Sequence, residues 1–250
     1  MAYDFMNRRD TKTAHHTSVE SAHEMVKNYM AIGAPPSKMN LGFAFYAKYF
    51  QVPDANFTGS AALGIPIVQA ENPVTGADTL TSGAITFETA NMAPISTNIS
   101  TSTDGTCGAD KGTRCPSGCC SQYGNCGTTS EYCGTGCQFA FGTGCTGPDI
   151  AGSWQTALVK GTADKAAGGQ YYLDGSNKLF WTWDTTEFIA EKFDKIIRKY
   201  KLGGAMAWSL GEDSYDWSHI KKISEELAKG GYGASAAVGG NGVHGHRHRR

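Results

Sequence analysis

The chain has eight cysteines, and all of them lie between Cys107 and Cys145. That is about 20% cysteine across 39 residues, twice the density that marks a disulfide scaffold. A segment this short cannot bury enough apolar surface to hold itself together, so cross-links or a metal must do so. Zinc sites favour Cys-x₂-Cys pairs separated by a longer loop. This segment has adjacent Cys119 and Cys120, an even count and no histidine. Disulfides are therefore expected, with no metal and no cofactor. Eight cysteines allow on the order of a hundred pairings, so composition alone does not choose among them.

Disulfides persist in oxidising compartments, which points to a secreted protein. Two glycosylation sequons, at Asn56 and Asn98, fit that setting. The first ten residues, MAYDFMNRRD, hold no basic stretch followed by an apolar run, so no leader is visible. An incomplete N-terminus reconciles the two observations. No apolar run approaches the ~18–20 residues of a membrane-spanning helix. The net charge is -1, which gives no basis for a nucleic-acid or membrane partner.

Outside the cysteine segment the chain reads as alternating strands and helices. Residues 18–31 predict a helix, with Thr17 and Glu20 as a capping box, an apolar stripe through Ala22, Met25, Val26, Tyr29 and Met30, and Gly33 as its stop. Residues 38–46 predict a buried strand. A second helix is expected over 185–200, with Asp184 and Glu187 as its box and Gly203-Gly204 as its stop. A buried strand over 205–210 and a helix near 217–228 follow. This alternation suggests βα units and a parallel sheet. Residues 96–106 read as a flexible linker. Residues 150–184 are strand-like in composition, so the cysteine segment looks inserted into a larger domain. The Gly-rich tail from Gly230 predicts disorder, and His244, His246 and His248 there belong to a solvated face.

The spacing C-G-x₆-C-P-x₂-CC-S-x-Y-G-x-CG-x₅-C resembles the hevein-type chitin-binding module over roughly 40 residues. Gly108, Ser121, Gly124, Gly127 and Tyr132 also match. The resemblance implies bridges Cys107–Cys120, Cys115–Cys126, Cys119–Cys133 and Cys137–Cys145. It also implies that Ser121, Tyr123 and Tyr132 bind N-acetylglucosamine units. Aromatic faces pack on the C–H faces of pyranose rings, and polar groups take the acetamido substituent. Asn125 stands where the family usually has a third aromatic, so weaker binding is expected.

The flanks resemble fungal family 18 glycoside hydrolases, the chitinases. Residues 1–5 (MAYDF) look like the end of the sixth strand of their (β/α)₈ TIM barrel, and residues 33–50 look like the seventh. Residues 171–185 look like the end of the small α+β insertion after that strand, and residues 202–217 look like the eighth. The resemblance places Met1, Tyr3 and Asp4 around the substrate's acetamido group. Tyr46 would line the cleft, and Trp208 would form the floor under the reacting sugar. Lys48 stands where many members have arginine. The expected fold is α/β. It comprises an incomplete barrel (1–53 and 185–229), an insertion (54–184) containing the module at 104–147, and a tail (230–250).

Family members protonate the leaving oxygen with the glutamate of D-x-x-D-x-D-x-E, while the substrate's own acetamido oxygen attacks the anomeric carbon. No such segment occurs in the 250 residues. The barrel-like segments total about 100 residues, against roughly 250 for a full barrel. The expectation is the C-terminal part of a secreted chitinase that binds chitin or chito-oligosaccharides without cleaving them. Three alternatives stay open: a longer active enzyme in which Met1 is internal, a lectin-like or effector protein derived from a chitinase, and a purely structural disulfide knot.

Overall fold

The computed structural model describes residues 1–53, 62–94, 96–214 and 216–231. The tail from residue 232, with its three histidines, and the sequon at Asn56 lie outside the described residues.

In chain order the structure runs α1 (Val19–Ala31), β1 (Asn40–Ala44), β2 (Tyr46–Gln51), β3 (Ser82–Thr86) and α2 (Thr89–Met92). Next come β4 (Ser100–Thr101), β5 (Thr113–Arg114), β6 (Cys119–Cys120), β7 (Cys126–Gly127) and α3 (Ser130–Cys133). The remainder is α4 (Ile150–Lys160), β8 (Thr162–Asp164), β9 (Gly169–Asp174), β10 (Leu179–Trp183), α5 (Thr186–Lys192), β11 (Gly204–Trp208) and α6 (Ser218–Lys229).

Two sheets organise the chain around the cysteine segment. Strands β1 and β11 pair in parallel, with Ala44 opposite Trp208. Ala2 N–H donates to Gly42 O at 3.2 Å, so the N-terminal residues lie along the other side of β1. The second sheet is antiparallel, in the order β3-β2-β10-β9-β8. Phe45 is the joint between the two. Its N–H donates to Trp208 O at 2.8 Å, and its carbonyl accepts from Phe87 N–H at 3.0 Å. The single strand expected over 38–46 is therefore two strands that divide at Phe45, preceded by a 3₁₀ turn at Pro36–Lys38. The strand expected over 205–210 ends earlier, at Trp208, and Leu210 starts a 3₁₀ turn.

One core spans both sheets. Side chains alternate along β2, so Ala47 and Tyr49 face one side while Tyr46, Lys48 and Phe50 face the other. Tyr49 packs on Trp181, Trp181 on Trp154, and Trp154 stacks with Phe87. Phe50 and Phe180 join Met6 in a separate cluster on the opposite face. Each fully buried aromatic contributes roughly 1.5–3 kcal/mol by leaving water.

Both predicted capping boxes are corrected by one residue. The α1 cap is Ser18, which accepts from Ser21 N–H, and the α5 cap is Thr185, which accepts from Phe188 N–H. Thr17 and Asp184 are buried instead and serve Lys192, whose Nζ reaches Asp184 Oδ2 at 2.5 Å and Thr17 Oγ1 at 2.6 Å. Thr17 Oγ1 in turn donates to Ala2 O at 3.0 Å. The helix after α5 widens into π-helical turns over Phe193–Arg198, and Phe193, Ile196 and Ile197 are buried. Gly33 ends α1 at φ 93°, a conformation that favours glycine.

Two expectations fail in the middle of the chain. Residues 96–106 are not a free linker: Ser100 and Thr101 pair in parallel with β5, and Ile99 packs against the module's interior. Residues 150–160 form a helix, α4, capped by Asp149, whose side chain accepts from Gly152 N–H.

Candidate functional site

Two groups of predicted residues occupy two different places. The first group gathers at the C-terminal ends of β1 and β11. Gly42 has no side chain, and a Cβ there would stand 3.1 Å from Met1 Cα, 3.1 Å from Met206 Cε and 3.2 Å from Tyr3 Cε1. That missing atom lets residues 1–3 lie against β1. Tyr3 and Tyr46 meet edge to face at 5.9 Å. Tyr46 Oη donates to Asp4 Oδ1 at 2.9 Å. Lys48 Nζ lies 3.1 Å from the same oxygen and donates to Met6 O at 2.9 Å. Asp4 holds a left-handed backbone, φ 62°. Trp208, 56% exposed, ends β11 beside Ala44.

Electrostatics keep this cluster in one protonation pattern. Burial, then the Asp4 carboxylate, drives the Tyr46 phenol well above its ordinary range, so it stays a donor. His16 is buried beneath Tyr46, with ring centroids 5.3 Å apart and Nδ1 3.9 Å from Asp4 Oδ1. Burial, followed by the charges of Lys48 and Lys192, holds His16 far below the usual histidine value, and it stays neutral. Among the described residues, neither ring nitrogen of His16 has a hydrogen bond of good geometry. Sequence reading missed His16, because nothing in the spacing of His15-His16 marks one ring as central.

The second group sits on the cysteine segment. Bridges join Cys107 to Cys120, Cys115 to Cys126, Cys119 to Cys133 and Cys137 to Cys145, the pairing that the hevein resemblance implies. Tyr123 is 79% exposed. The Tyr132 ring lies over Gly127, where a Cβ would stand 2.4 Å from Tyr132 Cγ. Ser121 is 4% exposed, and its Oγ accepts from Asn125 N–H at 3.3 Å. Asn125 Nδ2 donates to Tyr123 O at 3.2 Å, so Asn125 braces the loop that presents Tyr123. Cys107, Cys115 and Cys120 are the one metal-like cluster among the described residues, and all three are in disulfides. None is a thiolate that could take a metal.

The two groups lie on opposite faces of the antiparallel sheet. Tyr46 and Lys48 face Asp4, whereas Tyr49 faces Trp181, Trp154 and the cysteine segment's side of the molecule.

Residues 1–213 match the family described as Glycosyl hydrolases family 18. The chain belongs to this family. Among curated relatives, an endochitinase from Phaseolus vulgaris is 32% identical over 118 residues, 43% of this chain and 34% of that protein. A chitin deacetylase from a Pestalotiopsis species is 62% identical over 42 residues, 16% of this chain and 14% of that protein. The family 18 chain thus spans at most about a third of the length of these two relatives. A mutant class V chitinase from Nicotiana tobaccum, solved in complex with NAG4, superposes with a TM-score of 0.52. It is 16% identical, and the match covers 93% of this chain and 47% of that one. At that identity the likeness is one of fold. No helix among the described residues is long and apolar enough to cross a membrane.

Proposed function

We propose that the chain binds chitin, or a similar N-acetylglucosamine polymer, and that residues 104–147 do so as a hevein-type module. The observation that carries this reading is Tyr123, a large aromatic left 79% exposed on a loop held by disulfides. A rigid, amphipathic ring loses little conformational entropy when a sugar stacks on it. Tyr132 supplies a second ring, and Ser121 a hydroxyl for the acetamido group.

The Asp4 cluster is the second contact with the same polymer. Met1, Tyr3, Asp4 and Tyr46 surround the acetamido group, Lys48 orients Asp4, and Trp208 lies under the sugar. On this reading β1 and β11, with the N-terminal residues, are the last strands of a fungal-type barrel, and the antiparallel sheet is its insertion. Without D-x-x-D-x-D-x-E the 250 residues lack the leaving-group acid, so this chain holds the polymer and does not cut it. A secreted location accords with four disulfides.

The test is retention on chitin beads by wild type and by Tyr123→Ala, with release of labelled chitotriose measured in parallel. Wild type should be retained and Tyr123→Ala lost to the supernatant, with no labelled product from either. Equal retention of the two proteins would remove the module's role. Robust product release would remove the claim that the chain does not cleave.

A further inference from the structure

A groove of about 440 Å³ runs between the cysteine segment and the antiparallel sheet. That volume lies in the range of roughly 300–1,000 Å³ typical of small-molecule sites. One wall comes from the cysteine segment and includes Gln122, Tyr123 and Gln138. The other comes from β2, β3, α2 and α4 and includes Asn91, Trp154 and Gln155. We propose that this groove is a further saccharide-binding site, continuous with the Tyr123 stacking surface, that takes the sugars of an N-acetylglucosamine oligomer extending beyond the module. The proposal rests on the reading of the module as a chitin binder.

Three observations point to that class of ligand. The first is continuity, because Tyr123 belongs both to the proposed stacking face and to the lining of the groove. The second is the chemistry of the walls. Four carboxamides line them, from Asn91, Gln122, Gln138 and Gln155. Carboxamides both donate and accept, which suits hydroxyl and acetamido groups, and Asp110, Lys111 and Asp149 add charged partners of both signs for sugar hydroxyls in the same lining. Three of the carboxamides are already oriented by the protein, and Asn91 Nδ2 donates to Thr86 O and Thr86 Oγ1, both at 3.0 Å. Gln138 Nε2 donates to Ser121 O at 2.9 Å, and Gln155 Nε2 donates to Asn91 O at 2.7 Å. Gln155 thereby keeps its Oε1 as an acceptor, and Gln138 Oε1, which accepts from Ala109 N–H at 3.4 Å, keeps one further lone pair.

The third observation is Trp154. It lines the groove and is 1% exposed, yet its indole N–H has no hydrogen-bond partner among the described residues. A buried donor left unmade is costly and uncommon. Trp181, its neighbour in the same core, donates to Ser153 Oγ at 2.9 Å, so the orphan is specific to the indole at the groove. The Trp154 nitrogen has essentially no accessible surface, so a sugar oxygen reaches it only where the groove wall yields on binding.

The groove also lies on the opposite face of the sheet from Asp4, Tyr46 and Lys48. An oligomer that fills it therefore does not compete with one at the Asp4 cluster.

The test is calorimetric titration of the whole 250-residue chain with chitin trimer and chitin hexamer. Three proteins are compared: wild type, Tyr123→Ala and the double variant Ala90→Leu/Ala151→Leu. Ala90 and Ala151 are exposed residues of α2 and α4 that line the groove. Leucine there fills space and can neither hydrogen-bond to a sugar nor stack on it as an aromatic does. Wild type should bind the hexamer more tightly than the trimer. The double variant should lose about tenfold in hexamer affinity, ~1.4 kcal/mol, and keep trimer affinity. Tyr123→Ala should weaken both. If the double variant binds both oligomers as wild type does while Tyr123→Ala loses both, the module reading stands and the groove is overturned. If Tyr123→Ala binds the trimer as wild type does, the module reading fails, and the groove with it. A thermal melt of the double variant matching wild type excludes misfolding as the cause of its loss.

Discussion

Lys192 offers the sharpest test of how this fold is held together. Its ammonium is fully buried, as is Asp184, and the two are 2.5 Å apart. It also donates to Thr17 Oγ1, which supports Ala2 beside the Asp4 cluster. Changing Lys192→Met leaves the Asp184 carboxylate buried with no counter-charge. Its Oδ1 already has no partner among the described residues, so it has little to fall back on. Breaking such a pair costs about 3–5 kcal/mol. In a domain of this size that corresponds to a drop in melting temperature of roughly 6–20 °C. The double variant Lys192→Met/Asp184→Val removes both charges and fills the space with apolar atoms. It should recover most of the loss, to within about 1–2 kcal/mol of wild type, the remainder being the hydrogen bond that Thr17 Oγ1 no longer accepts from Lys192 Nζ. Urea unfolding followed by circular dichroism reads wild type, Lys192→Met, Asp184→Val and the double variant on one scale. If the double variant is as unstable as the sum of its two single changes, the charges themselves stabilise the fold, and the reasoning from desolvation is wrong.

Two further outcomes follow from the site. His16 is neutral in the fold with a depressed value, whereas in the unfolded chain it protonates near pH 6.5. Its contribution is therefore complete above about pH 6.5 and is lost as pH falls, at up to ~1.4 kcal/mol per pH unit. His16→Phe should flatten the fall in melting temperature between about pH 7 and pH 5, leaving the smaller slope of His15, which is also depressed, chiefly by burial. An unchanged slope would refute that assignment. Gly127→Ala should push the Tyr132 ring off the backbone, cost about 1–3 kcal/mol and weaken retention on chitin beads. Gly147→Ala is the control, because its Cβ would meet nothing closer than 3.7 Å, and equal retention of the two would count against Tyr132 as a binding surface.

The elements legible in the sequence are those fixed by one dominant force. Cysteine spacing carries the disulfide segment, and the apolar stripe of α1 is buried or packed against the core at Ala22, Met25, Val26 and Met30, whereas Tyr29 is 52% exposed. The N-terminal caps lie one residue beyond those that the spacing predicts, for a physical reason. Thr17-Ser18 and Asp184-Thr185 each offer two adjacent residues able to cap, and local spacing does not separate them. The choice depends on which is needed by Lys192, 175 residues from Thr17 in sequence. Helix α4 was hidden because Gly152, Ser153, Thr156 and Val159 are weak helix formers, although Asp149 followed by Ile150, Trp154 and Ala157 carries both a cap and a stripe. The segment at 100–101 looked like a linker because its partner strand, β5, lies across a loop of polar residues. Tyr3, Asp4 and Tyr46 were placed by motif and meet in the structure. His16 was not, because its importance comes from burial, which no spacing records.

The alternation along β2 constrains how this molecule can change over evolutionary time. Tyr46 and Lys48 project toward Asp4, and Tyr49 toward the groove, only because each residue's parity along the strand is fixed. Most substitutions within Tyr46–Gln51 alter one face and spare the other. Gain or loss of a single codon there would exchange the faces together, sending both polar partners of Asp4 into the tryptophan core. The strand should therefore accept point changes piecemeal, while its length is locked by two surfaces at once. Chains descended from this one should vary in length in the connecting segments and hold β2 at a constant count.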